Sequence, residues 1–87
     1  MATPETEAME QHIELVRYLA NSLLSEDVDF GVAAKVSGDQ IRIDLSVPEG
    51  HRGRVIGRGG RLARALRTIV SAAGISTNKN IVLDIVD

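Results

Sequence analysis

Gly53-Arg-Val-Ile-Gly57-Arg-Gly-Gly60-Arg-Leu-Ala-Arg-Ala-Leu-Arg67 is the stretch on which the reading of this chain turns. It joins a glycine-rich turn, Gly57 to Gly60, to a strongly patterned helix. It holds five of the ten Lys and Arg residues, Arg52 just before it is a sixth, and no acidic residue occurs from Gly50 to Leu83. Glycine lets backbone N–H groups approach a ligand with no Cβ in the way. A helix opening directly afterwards adds unpaired N–H donors and the positive end of its dipole. Together these make an anion site, and the arginines point to an anion with many phosphates.

Working outward, the helix after Gly60 has Leu62, Ala65, Leu66, Ile69, Val70 and Ala73 as an apolar stripe, with Arg61, Arg64 and Arg67 opposite. Gly74 is placed to end it, with Ile75 packing back on Val70 in a Schellman arrangement. Thr77-Asn-Lys-Asn80 reads as a loop, and Ile81 to Val86 as a strand whose inward face is Ile81, Leu83 and Ile85. Val82 and Val86 on its other face suit either a dimer contact or an ordinary edge strand. Before the turn, Glu49 to Ile56 is expected to be a short helix carrying Val55 and Ile56 into the core. Gly50 and Gly53 each weaken it by about 1 kcal/mol relative to Ala.

Further upstream, Val28, Phe30, Val32, Ala34 and Val36 alternate, as do Ile41, Ile43, Leu45 and Val47. Alternation is the signature of half-buried strands. Ser37-Gly38-Asp39 is a turn signal between them, which predicts an antiparallel hairpin stopped by Pro48. The chain opens with an amphipathic helix in which Met9, Ile13, Val16, Ala20 and Leu23 recur at helical spacing, widened by Leu19 and Leu24. Thr3 with Pro4 at the first helical position, or Thr6 instead, would cap it. His12 is expected on its surface. The order is α-β-β-α-α-β, an α+β fold with a mixed three-stranded sheet. Its three helices pack on one face, and the parallel pair is joined by a right-handed crossover.

Eighty-seven residues make one domain. With no cysteine there is no disulfide and no thiolate metal site. A partner subunit is the natural extra source of burial for so small a core. No apolar run approaches the roughly 18 residues of a membrane span. The start lacks a basic and apolar leader. The expectation is a cytoplasmic protein without a membrane role. The net charge of −2 hides an asymmetry. Residues 1–49 carry ten Asp/Glu against three Lys/Arg, whereas residues 50–87 carry seven Lys/Arg against two Asp/Glu. One cationic face on an acidic body follows.

The element order, with Val55-Ile56-Gly57-Arg58-Gly59-Gly60 between two adjacent helices, resembles a type II KH domain. KH modules are RNA readers whose Gly-x-x-Gly loop clamps the nucleotide backbone. The resemblance runs from about residue 8 to the end. It divides the chain into residues 1–7, an N-terminal extension or first helical turn, and a single KH domain at 8–87. Gly53 to Thr68 is similar to the signature of the KhpA family of small bacterial RNA-binding proteins. One departure is Ala63, where many KH domains carry a large aliphatic; Leu62 is expected to take its packing role. The resemblance implies a single-stranded RNA site at Arg54, Val55, Ile56, Gly57, Arg58, Gly59, Gly60, Arg61, Leu62 and Arg64. Val55, Ile56, Leu62 and the strand around Ile43 would form its apolar floor. It also implies dimerisation, with itself or with a larger KH-containing RNA-binding protein. RNA chaperone activity tied to cell shape and cell-wall biogenesis is implied as well.

Other phosphate loops fit poorly. A Walker A loop requires Gly-Lys-Ser/Thr, but Arg61 and Leu62 follow Gly60. A dinucleotide fingerprint requires glycine where Leu62 stands and a preceding strand. No set of side chains suits catalysis, a metal, a cofactor or a small-molecule substrate. One phenylalanine and one tyrosine exclude base stacking on an aromatic platform. Two functions stay open: a single-stranded RNA binder, and a KH-fold interaction subunit that acts mainly by holding a partner.

Overall fold

A computed structural model describes residues 4–77 and 79–86. Helix α1 (Pro4–Leu23) leads to strand β1 (Gly31–Ser37), which pairs with β2 (Gln40–Ser46). A 3-10 turn at Glu49–His51 runs into α2 (Arg52–Ile56). A second 3-10 turn, Arg58–Gly60, runs into α3 (Arg61–Ala73). A third, Gly74–Thr77, precedes β3 (Asn80–Val86). The expected α-β-β-α-α-β order is observed. Pro4 is the first described helical residue, the position proline favours; the cap expected at Thr3 lies outside the described residues, as does Asn78 of the expected loop.

Strand β2 is central, antiparallel to β1 and parallel to β3. Gly38 and Asp39 close the hairpin, with Ser37 opposite Gln40 and Gly38 at φ 59°. That left-handed value is easily reached only without a Cβ. The ladder is continued by Asn80 N–H donating to Asp39 O at 2.8 Å and Val47 N–H donating to Val86 O at 2.9 Å. Ile41, Ile43 and Leu45 point to the helices and are fully buried, as is Val47 just past the strand. Val16, Ala20 and Leu24 of the α1 segment, Val55 of α2, Leu66 and Val70 of α3, and Ile81 and Leu83 of β3 complete the core. The alternate residues form the sheet's other face. There Arg42 bridges Asp44 (Nε–Oδ1 3.1 Å) and Asp84 (Nη2–Oδ2 2.7 Å), which face each other in the β2–β3 register. Both carboxylates lie near this guanidinium and hold its pKa above the ordinary value, Asp44 contributing most.

Several local expectations are corrected. The first strand begins at Gly31, not Val28, because β2 ends opposite Gly31 and offers no partner further on. Val28 is instead buried behind a turn in which its N–H bonds Ser25 O at 3.0 Å. His12 is not on the surface: it is 4% exposed, and its Nε2 is buried without a hydrogen-bond partner among the described residues. In α3 the buried row is Ala63, Leu66 and Val70, followed by Gly74. Ala65 is exposed and Ile69 is 45% exposed, so the stripe is rotated from the one expected; Ala63 is itself buried, while Leu62 is half-buried and packs against the core as expected. Gly74 has φ −74° and ends the helix without a left-handed residue. Ile75 is 79% exposed and does not pack back. Glycine is needed at 74 for space: a Cβ there would overlap Ile81 Cγ1.

Candidate nucleic-acid interface

Arg52, Gly53, Arg54, Val55 and Ile56 make barely more than one turn of helix, which Gly57 ends. Its N–H donates to Gly53 O at 2.9 Å, and its φ of 74° with ψ of 173° lies in a region only glycine occupies readily. Space demands glycine here too, since a Cβ would sit 2.7 Å from Leu62 Cβ. The turn then closes with Gly60 N–H on Gly57 O at 3.2 Å. Gly59 (φ 65°, ψ 17°) and Gly60 (φ 75°, ψ 13°) are consecutive left-handed residues with open space around them. Three of four successive residues thus take positive φ.

Gly60 stands at the cap position of α3 and has no side chain, so no side-chain oxygen satisfies the first turn of this 13-residue helix. Donors at such a terminus face outward and carry the positive end of the dipole. Around it are six arginines, of which Arg54, Arg58, Arg61, Arg64 and Arg67 form no ion pair among the described residues. Four are tied to the protein. Arg52 Nε donates to Val47 O at 3.3 Å and Arg54 Nη1 to Ser25 Oγ at 3.3 Å. Arg64 Nη2 donates to Gly59 O at 3.0 Å and Arg67 Nε to Leu83 O at 3.1 Å. Arg58 and Arg61 are exposed and make no hydrogen bond among the described residues.

The structure therefore divides the residues singled out from sequence. Gly57, Arg58, Gly59, Gly60 and Arg61 form one continuous rim, with Ile56 and Leu62 half-buried beneath it. Val55 lies elsewhere: it is 0% exposed, as is Ile43, so both belong to the core and neither is open to a ligand. The outward positions around a short helix are few, and Val55 is the one turned to the core. Arg54 and Arg64 flank the rim on their hydrogen bonds. The roles of Arg64 and Arg67 as ties to backbone carbonyls were not foreseen, because such bonds join positions whose juxtaposition depends on loop and sheet geometry.

Residues 13–85 match the family model described as KhpA/KhpB, KH domain. The RNA-binding protein KhpA of Clostridium perfringens is 40% identical over 73 residues, covering 84% of this chain and 97% of the relative. That of Halalkalibacterium halodurans is 38% identical over 73 residues, covering 84% and 96%. That of Bacillus subtilis is 35% identical over 79 residues, covering 90% and 98%. These relatives are named for RNA binding and not for a reaction. With the order of its elements, its mixed sheet and its glycine turn, the chain belongs to the KhpA/KhpB KH-domain family.

Proposed function

We propose that this chain binds single-stranded RNA, gripping the backbone of about four nucleotides at the Gly57–Gly60 turn. The observation that carries this reading is the uncapped start of α3 behind three positive-φ glycines, flanked by Arg58 and Arg61, which have no partner among the described residues. Backbone amides and two cations address phosphates, while Ile56 and Leu62 offer an apolar floor to the bases. Val55 supports that floor from below, and Arg54 and Arg64 frame it. Backbone contacts carry little sequence information, so preference is modest. A non-enzymatic role as an RNA chaperone in post-transcriptional control fits such binding.

The test is fluorescence anisotropy with an unstructured RNA across a salt series. Log K should fall against log salt with a slope of about −2 to −4, each phosphate contributing roughly −0.7. The variant R58D/G59D should lose most affinity. Because Gly59 is left-handed, R58Q/G59N is the control that shares the conformational change without the negative charge. Equal loss in both variants, or equal binding by all three proteins, would remove the electrostatic grip from this turn. Circular dichroism checks the fold.

The second reading, an interaction subunit, is favoured by apolar surface the fold leaves uncovered: Ile69 on α3 and Val82, 36% exposed, on the sheet face opposite the helices. It makes the chain one half of a homodimer, or of a heterodimer with a larger KH-containing protein. Sedimentation across a concentration series, with Ile69→Lys and Val82→Lys, tests it; a monomer throughout would exclude the homodimer.

A further inference from the structure

We propose that Arg64 is a positioning residue that locks the Gly59–Gly60 peptide plane, holding the turn ready for phosphate instead of contacting phosphate itself. This rests on the RNA-binding reading above. The turn has little else to hold it. Gly59 and Gly60 lack side chains, and nothing lies within 4 Å of where their Cβ atoms would be. Glycine pays the largest backbone entropy on ordering.

The C=O of Gly59 and the N–H of Gly60 belong to one planar trans peptide, so they point in opposite directions. Both ends are engaged. Gly60 N–H donates to Gly57 O at 3.2 Å, and Gly59 O accepts from Arg64 Nη2 at 3.0 Å. A plane held at one end only can rotate between two glycine residues at little cost. A plane held at both ends keeps Arg58 and the start of α3 in a fixed relation. The second hold is a charge-assisted bond from the first turn of α3, and it reaches back five residues to the turn. Preorganising the turn in this way raises affinity by lowering the ordering cost of binding. It does so without releasing a counterion.

The variants are Arg64→Met, which keeps the length and apolar stem, and Arg64→Lys, which keeps the charge but loses the planar fork. The first measurement uses the free protein: 15N relaxation dispersion and amide exchange at Gly59 and Gly60. Wild type should be quiet there, and Arg64→Met should show microsecond-to-millisecond exchange confined to the turn. The second is RNA affinity across salt. Arg64→Met should bind about 10-fold more weakly with an essentially unchanged slope, whereas Arg58→Gln should make the slope shallower by roughly 0.7. Arg64→Lys should recover affinity only to the extent that it quiets the turn.

The proposal is overturned if the turn of Arg64→Met is as rigid as wild type. It is equally overturned if the slope falls by about 0.7 for Arg64→Met, or if Arg64→Lys restores full affinity while the turn stays mobile. Those results would make Arg64 a phosphate contact. Should wild type bind no RNA, the RNA reading fails by itself, and the measurements on the free protein still decide whether Arg64 locks the turn.

Discussion

Helices α1 and α3 cover the same face of one sheet, and each meets it along a single row of residues. In α1 and just beyond its end, the row is His12, Val16, Ala20 and Leu24; in and just beyond α3 it is Ala63, Leu66, Val70 and Gly74. Each row contains a residue that apolarity alone would not have chosen. α1 buries a histidine, while α3 buries alanine and glycine and leaves Ile69 in solvent. The tightest approach is at the end of α3. α3 touches β3, α1 and α2 together, and its end closes on Ile81 so tightly that a Cβ at 74 would overlap it. α1 touches β1, β2, α2 and α3, and its row nonetheless holds a large polar ring.

The largest expected effect sharpens the contrast within α3. Leu66→Ala should cost about 2–5 kcal/mol in denaturant unfolding, the range for emptying a core position. Ile69→Ala, one helical turn away in solvent, should cost under about 1 kcal/mol. Similar losses would mean that the stripe is oriented as its apolarity suggests, and would dissolve the comparison.

The next effect belongs to α1. Burial removes His12 from water and holds its pKa below the ordinary value of about 6.5. The neutral ring is then the folded form, so the unfolded chain binds the extra proton. The stability from His12 is fully present above about pH 6.5 and is lost as pH falls from there toward the lowered folded pKa. The slope is at most about 1.4 kcal/mol per pH unit for one proton. His12→Leu should remove that slope between pH 7 and the onset of carboxylate titration. An unchanged slope would assign it to other groups.

The smallest effect is at the outer face of α1, where Arg17 Nη1 lies 3.3 Å from Glu14 Oε1 with both side chains well exposed. Glu14→Gln should shift stability by under about 0.5 kcal/mol and lose even that in high salt. A larger loss would show that the acidic helix surface contributes more than a solvated face should.

Period and punctuation were legible in the chain. Alternation in Ile41, Ile43 and Leu45 gave the central strand, because a strand has only two faces and one of them is apolar. Gly38 and Pro48 bounded that hairpin, and the glycines at 57, 59 and 60 announced a turn before α3. The N-terminal end of β1 was not legible, since the alternation simply continues through Val28 and Phe30. Only the length of β2 set the limit. Val55 and Ile56 are adjacent and equally apolar, and nothing in composition says which one turns to the core; the answer is Val55.

By itself the sequence determined the element order, the antiparallel hairpin, the place of the glycine turn and the concentration of positive charge around it. These follow from local periodicity, from backbone conformations open only to glycine, and from residue charge, none of which requires knowing a distant neighbour. The tertiary structure decided the rotation of each helix about its axis, the burial of His12, and the partition of six arginines into four that tie the protein together and two left without a partner among the described residues. Those outcomes depend on which groups meet across the fold. A helical stripe is broad enough to roll by one residue at little cost in apolar burial, and an arginine takes whichever carbonyl or ligand comes within reach.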